Sequence, residues 1–335
     1  MRQRWHLLVA AAPAVGGGHV ARSRLVARAL AGQAEVALTL VGDDGRWRQQ
    51  LDDEPYRLAP EAGEAGWDGT LLDLKPLGRA AIRAARGDSR FVAAYDDELA
   101  LPEDIDLFVN AALHLAGTSV GGRPALLGPA YAAVAPGFAE VRRNLPAAAA
   151  ARRVLVGFGL VDSANATGLV LQALAGLPAQ APPLEVTVLL GARAPHRASL
   201  QRRIDALPWA RLLFDPPDVP ALLAESDLAI GAPGVSLAER LAAGVPTATL
   251  AQNAAQCPLL AGAAARGATL PLGLAGETPI ASLGGKLAGL LADRTARQRL
   301  AESGRRLVDG GGAARIAQAL LDRAASHPAA SMAAQ

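Results

Sequence analysis

The chain has 335 residues, too many for one ordinary domain and suited to two of about 150 residues each. At 51% hydrophobic and 19% charged it can fill two packed cores, and its 33 basic and 31 acidic side chains leave a formal net charge of only +2. Its arginines gather only in short pairs (Arg152-Arg153, Arg202-Arg203, Arg305-Arg306), so no nucleic-acid partner is expected, since that would need a clustered basic face.

Cys257 is the single cysteine, which excludes an internal disulfide and any cysteine-rich metal site. The five histidines lack metal-ligand spacing, so neither a metal nor another cofactor is expected. The basic start and apolar run of residues 1–15 suit a secretory signal, yet the run reads better as a first strand leading into Gly16-Gly17-Gly18-His19. No apolar stretch reaches the roughly 18 residues of a membrane-spanning helix, so a cytoplasmic protein without an integral membrane segment is expected.

Apolar strand-like runs alternate with amphipathic stretches, the pattern of parallel sheets covered by helices. The first half predicts a strand over 5–12, a helix over 20–31, and a strand over 36–41. Short strands follow over 69–74, 91–94, 107–109 and 125–127. The second half restarts with a strand over 153–157, a helix over 167–177, a strand over 184–190, and a helix over 198–206. It continues with a strand over 210–214, a short helix over 219–225, a strand over 228–230, a helix over 237–243 and a strand over 247–250. Helices are expected from there to about 325. The segment 144–151, with Pro146 and five alanines in a row, is the expected linker. It divides the chain into a first domain (1–146) carrying a catalytic glycine-rich loop, a nucleotide-binding domain (147–326) and a flexible tail (327–335). Two such sheets are expected to face each other across a cleft at the carboxyl ends of their strands, where ligands bind in these folds.

Three glycine loops fall at those ends. The first is Pro13-Ala14-Val15-Gly16-Gly17-Gly18-His19, in which Gly17 and Gly18 let the backbone approach a ligand and a helix N-terminus offers free N–H groups to an anion. His19, at the start of that helix, is a candidate general base; the bland alternative is a solvated histidine on a turn. The second runs from Gly231 through Pro233, Gly234 and Ser236 to Glu239. Here Ser236 and Glu239 have the spacing of a capping box, while Glu239 is equally placed to reach the ribose hydroxyls of a nucleotide whose diphosphate rests on the loop. The third, Gly157-Phe158-Gly159 with Asp162, Asn165 and Thr167, suits either helix capping or a contact to sugar or phosphate. Asn253 follows a strand and faces the same side. Asp96-Asp97-Glu98 reads as a solvated acidic loop, and His114 and His196 as surface residues.

Taken in order, these segments resemble the UDP-2,4-diacetamido-2,4,6-trideoxy-β-L-altropyranose hydrolases of pseudaminic acid synthesis and related GT-B polysaccharide-biosynthesis proteins. Gly18-His19-Val20-Ala21-Arg22 is similar to the family's G-H-x-x-R, and Asp96-Asp97 followed by Asp106 and Asn110 to its D-D…D-x-x-x-N passage. Leu127-Gly128-Pro129-Ala130-Tyr131 through Phe138 resembles L-G-P-x-Y…F, and Asp309-Gly310-Gly311-Gly312-Ala313-Ala314-Arg315 the family's end. Where the family has D-x-Y, this chain has Asp73-Leu74-Lys75. The resemblance implies a GT-B-like fold of two Rossmann-like domains and a UDP-linked amino sugar as ligand. It further implies hydrolysis to UDP and free sugar with His19 as base, and substrate contacts from Arg22, Gly159, Asn165, Gly231, Gly234, Ser236, Glu239 and Asn253. Two other outcomes remain open: transfer of the same donor to an acceptor in surface polysaccharide or flagellin glycosylation, and binding without catalysis.

Overall fold

The computed structural model describes residues 2–48, 50–60, 64–141, 149–178 and 183–327. The chain divides into two compact units, one running to Ala133 and resuming at Gly311, the other spanning Val134–Gly310.

In the first unit, β1 (Arg4–Ala10), α1 (Gly18–Ala31), β2 (Glu35–Val41), β3 (Arg57–Leu58), β4 (Trp67–Asp73), α2 (Arg79–Asp88), β5 (Ser89–Tyr95), β6 (Leu107–Asn110) and β7 (Ala125–Leu127) follow in order. The seven strands form one parallel sheet ordered β3-β2-β1-β4-β5-β6-β7. Strands covered on both faces need near-continuous apolar runs, and β2 and β4 are buried along almost their whole length. Helix α1 lays Val20, Ser23, Val26, Ala27 and Leu30 onto the sheet at helical spacing.

The second unit contains α3 (Pro136–Glu140), β8 (Arg153–Gly157), α4 (Ala166–Ala175), β9 (Glu185–Leu190), α5 (Arg197–Asp205), β10 (Ala210–Phe214) and α6 (Val219–Ala224). It continues through β11 (Leu228–Gly231), α7 (Val235–Ala242), β12 (Thr247–Ala251), α8 (Cys257–Ala265), β13 (Leu270–Leu274), α9 (Ile280–Ala292) and α10 (Arg294–Leu307). Its parallel sheet is ordered β10-β9-β8-β11-β12-β13. Each sheet reverses its direction of growth once, between β1 and β4 in the first and between β8 and β11 in the second. Such switch points open a crevice at the strands' carboxyl ends.

The expected division at 146/147 is corrected by the last helix, α11 (Gly312–Ser326). Its Ile316, Ala317, Leu320, Leu321 and Ala324 join the apolar cluster formed by α1 and the first sheet. The chain therefore returns to the first unit at its end, and residues expected to close the nucleotide-binding domain belong to the other core. A methyl group at Gly312 would stand 2.1 Å from the Ala132 carbonyl oxygen, so only glycine permits that approach. Most of the expected linker and tail (144–148 and 328–335) lies outside the described residues. Ala151 is buried and donates its N–H to the Leu291 carbonyl at 3.0 Å, inside the second unit.

Four elements escape the sequence pattern, one of them the five-residue α3. Helix α2 buries only Ile82 and Ala85, too narrow a stripe to register, and β3 has two residues. Strand β13 carries Pro271 and Gly273, which argue against a strand, but it lies at the sheet's edge, where the pairing with β12 shifts register between Thr249 and Leu250. The first core also leaves little slack. A methyl at Gly69 would lie 2.5 Å from the Trp5 ring, which is fully buried. Gly69→Ala should destabilise the protein by roughly 1–3 kcal/mol in urea denaturation. A variant as stable as the parent would contradict this packing.

Candidate functional site

The carboxyl end of β4 is Asp73, paired in register with Val9 of β1, so it stands at the first sheet's switch point. The chain leaving β1 turns through Gly16, whose φ of +75° needs glycine, and enters α1 with Gly17 as its N-cap. His19 thereby sits in the first turn of α1, against the strand end. Its Nδ1 lies 2.7 Å from Asp73 Oδ1, and both residues are buried.

Arg22, one turn further along α1, donates from Nε to Asp73 Oδ2 at 2.8 Å and from Nη2 to Oδ1 at 2.6 Å. Ser23 Oγ donates to Oδ2 at 2.7 Å. The other edge of the Arg22 guanidinium donates to both oxygens of Asp97 at 2.9 Å, and its face covers the Tyr95 ring at 4.0 Å. Burial alone would push the Asp73 carboxyl up, but the Arg22 charge, its hydrogen bonds and that of His19 hold it down at about 2. Burial would likewise lower Arg22, yet Asp73 and Asp97 raise it well above its ordinary value.

The geometry fixes the tautomer of His19. A bare Nδ1 would set its lone pair against a carboxylate oxygen at 2.7 Å, whereas a protonated Nδ1 donates to it. Nδ1 therefore carries the proton and Nε2 is the basic nitrogen.

The second unit repeats the topology with different side chains. Gly157 of β8 pairs with Gly231 of β11 at that sheet's switch point. Helix α4 follows the first of these ends. Its capping is done by Asp162, whose carboxylate accepts the Ala166 N–H at 2.8 Å and the Thr167 N–H at 3.1 Å. Asn165, in the left-handed region at φ +50°, caps nothing with its side chain. Its buried Oδ1 and the buried Thr167 hydroxyl are left without a hydrogen-bond partner among the described residues. Gly159, at φ +83°, lies in the turn between β8 and α4.

Helix α7 follows β11. Its N-cap is Gly234, no side chain caps it, and Ser236 is already inside the helix, where its Oγ accepts from Arg240 Nη1 at 3.2 Å. The capping box suggested by Ser236 and Glu239 is therefore not formed. Glu239 makes no side-chain hydrogen bond among the described residues, and burial pushes its carboxyl up to about 7 against the pull of Arg240. Asn253 is exposed just beyond β12 and caps nothing with its side chain. Its neighbour Gln252, which sequence reasoning passed over, reaches the Phe158 carbonyl with Nε2 at 3.0 Å and leaves Oε1 unpartnered among the described residues.

Among the expected residues, the structure thus joins His19 to Arg22 through Asp73, with Gly17 as the N-cap and Gly18 as the first residue of the helix that carries them. It groups Gly231, Gly234, Ser236 and Glu239 around the start of α7, and Gly159 with Asn165 before α4. Asp97 is exposed, as expected of a solvated loop, but its carboxylate also holds Arg22 of the His19 group, whereas Asp96 is structural: it accepts the Ala100 and Leu101 N–H groups at 3.1 and 2.7 Å. His114 and His196 are half-buried, the latter 3.2 Å from the Ser163 carbonyl. Among the described residues no group of three or more His, Cys, Asp or Glu could hold a metal ion. No helix among them is long and apolar enough to cross a membrane.

No family model matches the chain. The spore coat polysaccharide biosynthesis protein SpsG of Bacillus subtilis (strain 168) is 30% identical over 195 residues, which make up 58% of this chain and 57% of that protein. The chain thus matches little more than half the length of this curated relative. Among solved structures, the glycosyltransferase of kitacinnamycin superposes with a TM-score of 0.68 at 15% identity, over 98% of this chain and 100% of that one. Anabaena Alr3699/HepE, solved in complex with UDP-glucose, gives a TM-score of 0.64 at 14% identity, over 96% and 99%. These likenesses establish the GT-B-like fold, with two Rossmann-like parallel-sheet domains.

A carboxyl held at about 2 stabilises the folded chain above the unfolded value near 4 and loses that contribution as pH falls towards 2. Asp73→Asn should therefore cost about 2–3 kcal/mol at pH 7, and about half of that by pH 3. Urea denaturation of both proteins at the two pH values measures it. A difference independent of pH would show that Asp73 is not ionised in the folded state.

Proposed function

We propose that this protein is a nucleotide-sugar-dependent glycosyltransferase of polysaccharide biosynthesis, taking a UDP-linked amino sugar as donor. The observation that carries the reading is the His19–Asp73 pair at the switch point of the first sheet, with Nδ1 committed to the carboxylate and Nε2 available as base. His19 Nε2 takes the proton of an acceptor hydroxyl as its oxygen attacks the anomeric carbon. The bond from that carbon to the diphosphate oxygen breaks, and UDP leaves with the electron pair. Asp73 stabilises the imidazolium without accepting its proton, because Arg22 keeps it ionised.

The second unit supplies the nucleotide contacts in this proposal. The first turn of α7 and the loop 231–234 receive the diphosphate on backbone N–H groups. Glu239, unused by any cap, accepts from the ribose hydroxyls. Gly159, Asn165, Thr167 and Asn253 border the same ligand. The polysaccharide-biosynthesis relative and the UDP-glucose complex of a structural neighbour support this reading.

Hydrolysis is the second reading, with water in place of the acceptor. It is favoured by the Gly18-His19…Arg22 segment and the ordered matches that follow it. The comparisons favour transfer over it, because the structural neighbours include glycosyltransferases. Incubation with UDP-N-acetylamino sugars separates the two: UDP release that requires an added glycosyl acceptor supports transfer, and release in its absence supports hydrolysis. Under either, His19→Gln should lower turnover by about 10²–10⁴-fold while UDP affinity stays within about tenfold. Undiminished turnover in that variant would remove His19 from the chemistry.

A further inference from the structure

Arg240 is 5% exposed, in the last turn of α7, and the groups it hydrogen-bonds are all neutral. Its Nε donates to Thr247 Oγ1 at 2.8 Å, its Nη1 to Ser236 Oγ at 3.2 Å, and its Nη2 to the Ala232 carbonyl at 2.9 Å. The side chain thus runs back along the helix towards its N-terminus and lies under the loop that opens it. A methyl at Gly231 would be 2.5 Å from Nη1 and 2.4 Å from the Gly157 carbonyl oxygen, so glycine at 231 is what admits the guanidinium there.

A buried guanidinium is ordinarily matched by a hydrogen-bonded carboxylate, because an uncompensated charge in a low-dielectric interior is costly. Glu239 acts on Arg240 only through space, and burial lowers the guanidinium to about 10. Fixing the loop needs only hydrogen bonds to these three neutral oxygens, none of which answers the charge of the guanidinium. What the guanidinium adds to those bonds is a positive charge immediately beneath a loop whose tip, Gly234, is exposed. An anion at that tip completes the missing compensation, and the attraction grows with the anion's charge.

We propose that Arg240 is the specificity-determining charge of this loop, selecting a diphosphate over singly charged or neutral ligands. The proposal rests on the nucleotide-binding reading above and assigns it a residue that touches no ligand. Arg240 is thus a positioning residue, acting through the loop and through its field.

Calorimetric titrations of the full chain with UDP, UMP and uridine, for the parent, Arg240→Gln and Arg240→Lys, test it. Arg240→Gln should weaken UDP binding by tenfold or more, UMP by less, and uridine by under twofold, because only the phosphate-dependent part is removed. Arg240→Lys keeps the charge and should keep most of the preference for UDP over uridine, and it serves alone if the glutamine variant does not fold. Equal losses for all three ligands would make Arg240 a structural residue and overturn the proposal, as would loss of the UDP preference in Arg240→Lys. Failure of the parent protein to bind UDP would instead overturn the nucleotide reading, and the proposal with it.

Discussion

The carboxylate of Asp73 accepts four hydrogen bonds, two on each oxygen, from His19, Arg22 (twice) and Ser23, at 2.6 to 2.8 Å. A carboxylate has about four lone-pair directions, so this one is saturated. It must be ionised to accept all four, and Arg22 keeps it so despite burial. From that constraint follow the tautomer of His19 and the orientation of its ring, which leave Nε2 as the unprotonated nitrogen. Arg22 is held in turn between Asp73 and Asp97 and against Tyr95, so its charge cannot drift away from the carboxylate. The first turn of α1 is consequently locked to the end of β4 by charge-assisted bonds, which are stronger and more directional than neutral ones.

Topology explains why these groups meet. In a doubly wound parallel sheet, the strand ends on either side of the reversal are left uncovered by connecting helices. A loop from one strand can settle beside the end of the other. In the first sheet the meeting is between a histidine and a carboxylate. In the second it is between two glycines, Gly157 and Gly231, with a buried guanidinium beneath. In the function proposed above, the first of these places moves a proton and the second holds an anion.

The sequence makes the second of these easier to read than the first. Glycine loops between an apolar run and a helix are visible as local patterns, and so were most of the strands. Asp73 was not legible as a partner of His19, because the two are 54 positions apart and meet only because β1 pairs with β4 across the intervening β2 and β3. Its available signal was a carboxylate ending a run of apolar residues, a costly placement that calls for a compensating charge. Asp97 looked like one of three solvated acids because acidity, not partnership, is what a linear pattern shows. Ser236 and Glu239 misled in the opposite direction. Their spacing fits a capping box, but the N-cap is Gly234, two residues before Ser236, so neither side chain caps the helix. The return of α11 to the first core was hidden for a related reason: an amphipathic stripe shows that a helix must pack, not against which sheet.

The tautomer of His19 can be observed directly, without knowing the sugar or the acceptor. Nitrogen-15 NMR of the imidazole, assigned by comparison with His19→Gln, distinguishes a protonated Nδ1 from a protonated Nε2. The account predicts the Nδ1–H form, with its proton shielded from exchange by the bond to Asp73, and loss of that form's dominance in Asp73→Asn. A neutral imidazole protonated at Nε2 in the parent protein would contradict it, since the nitrogen assigned as base would then carry the proton.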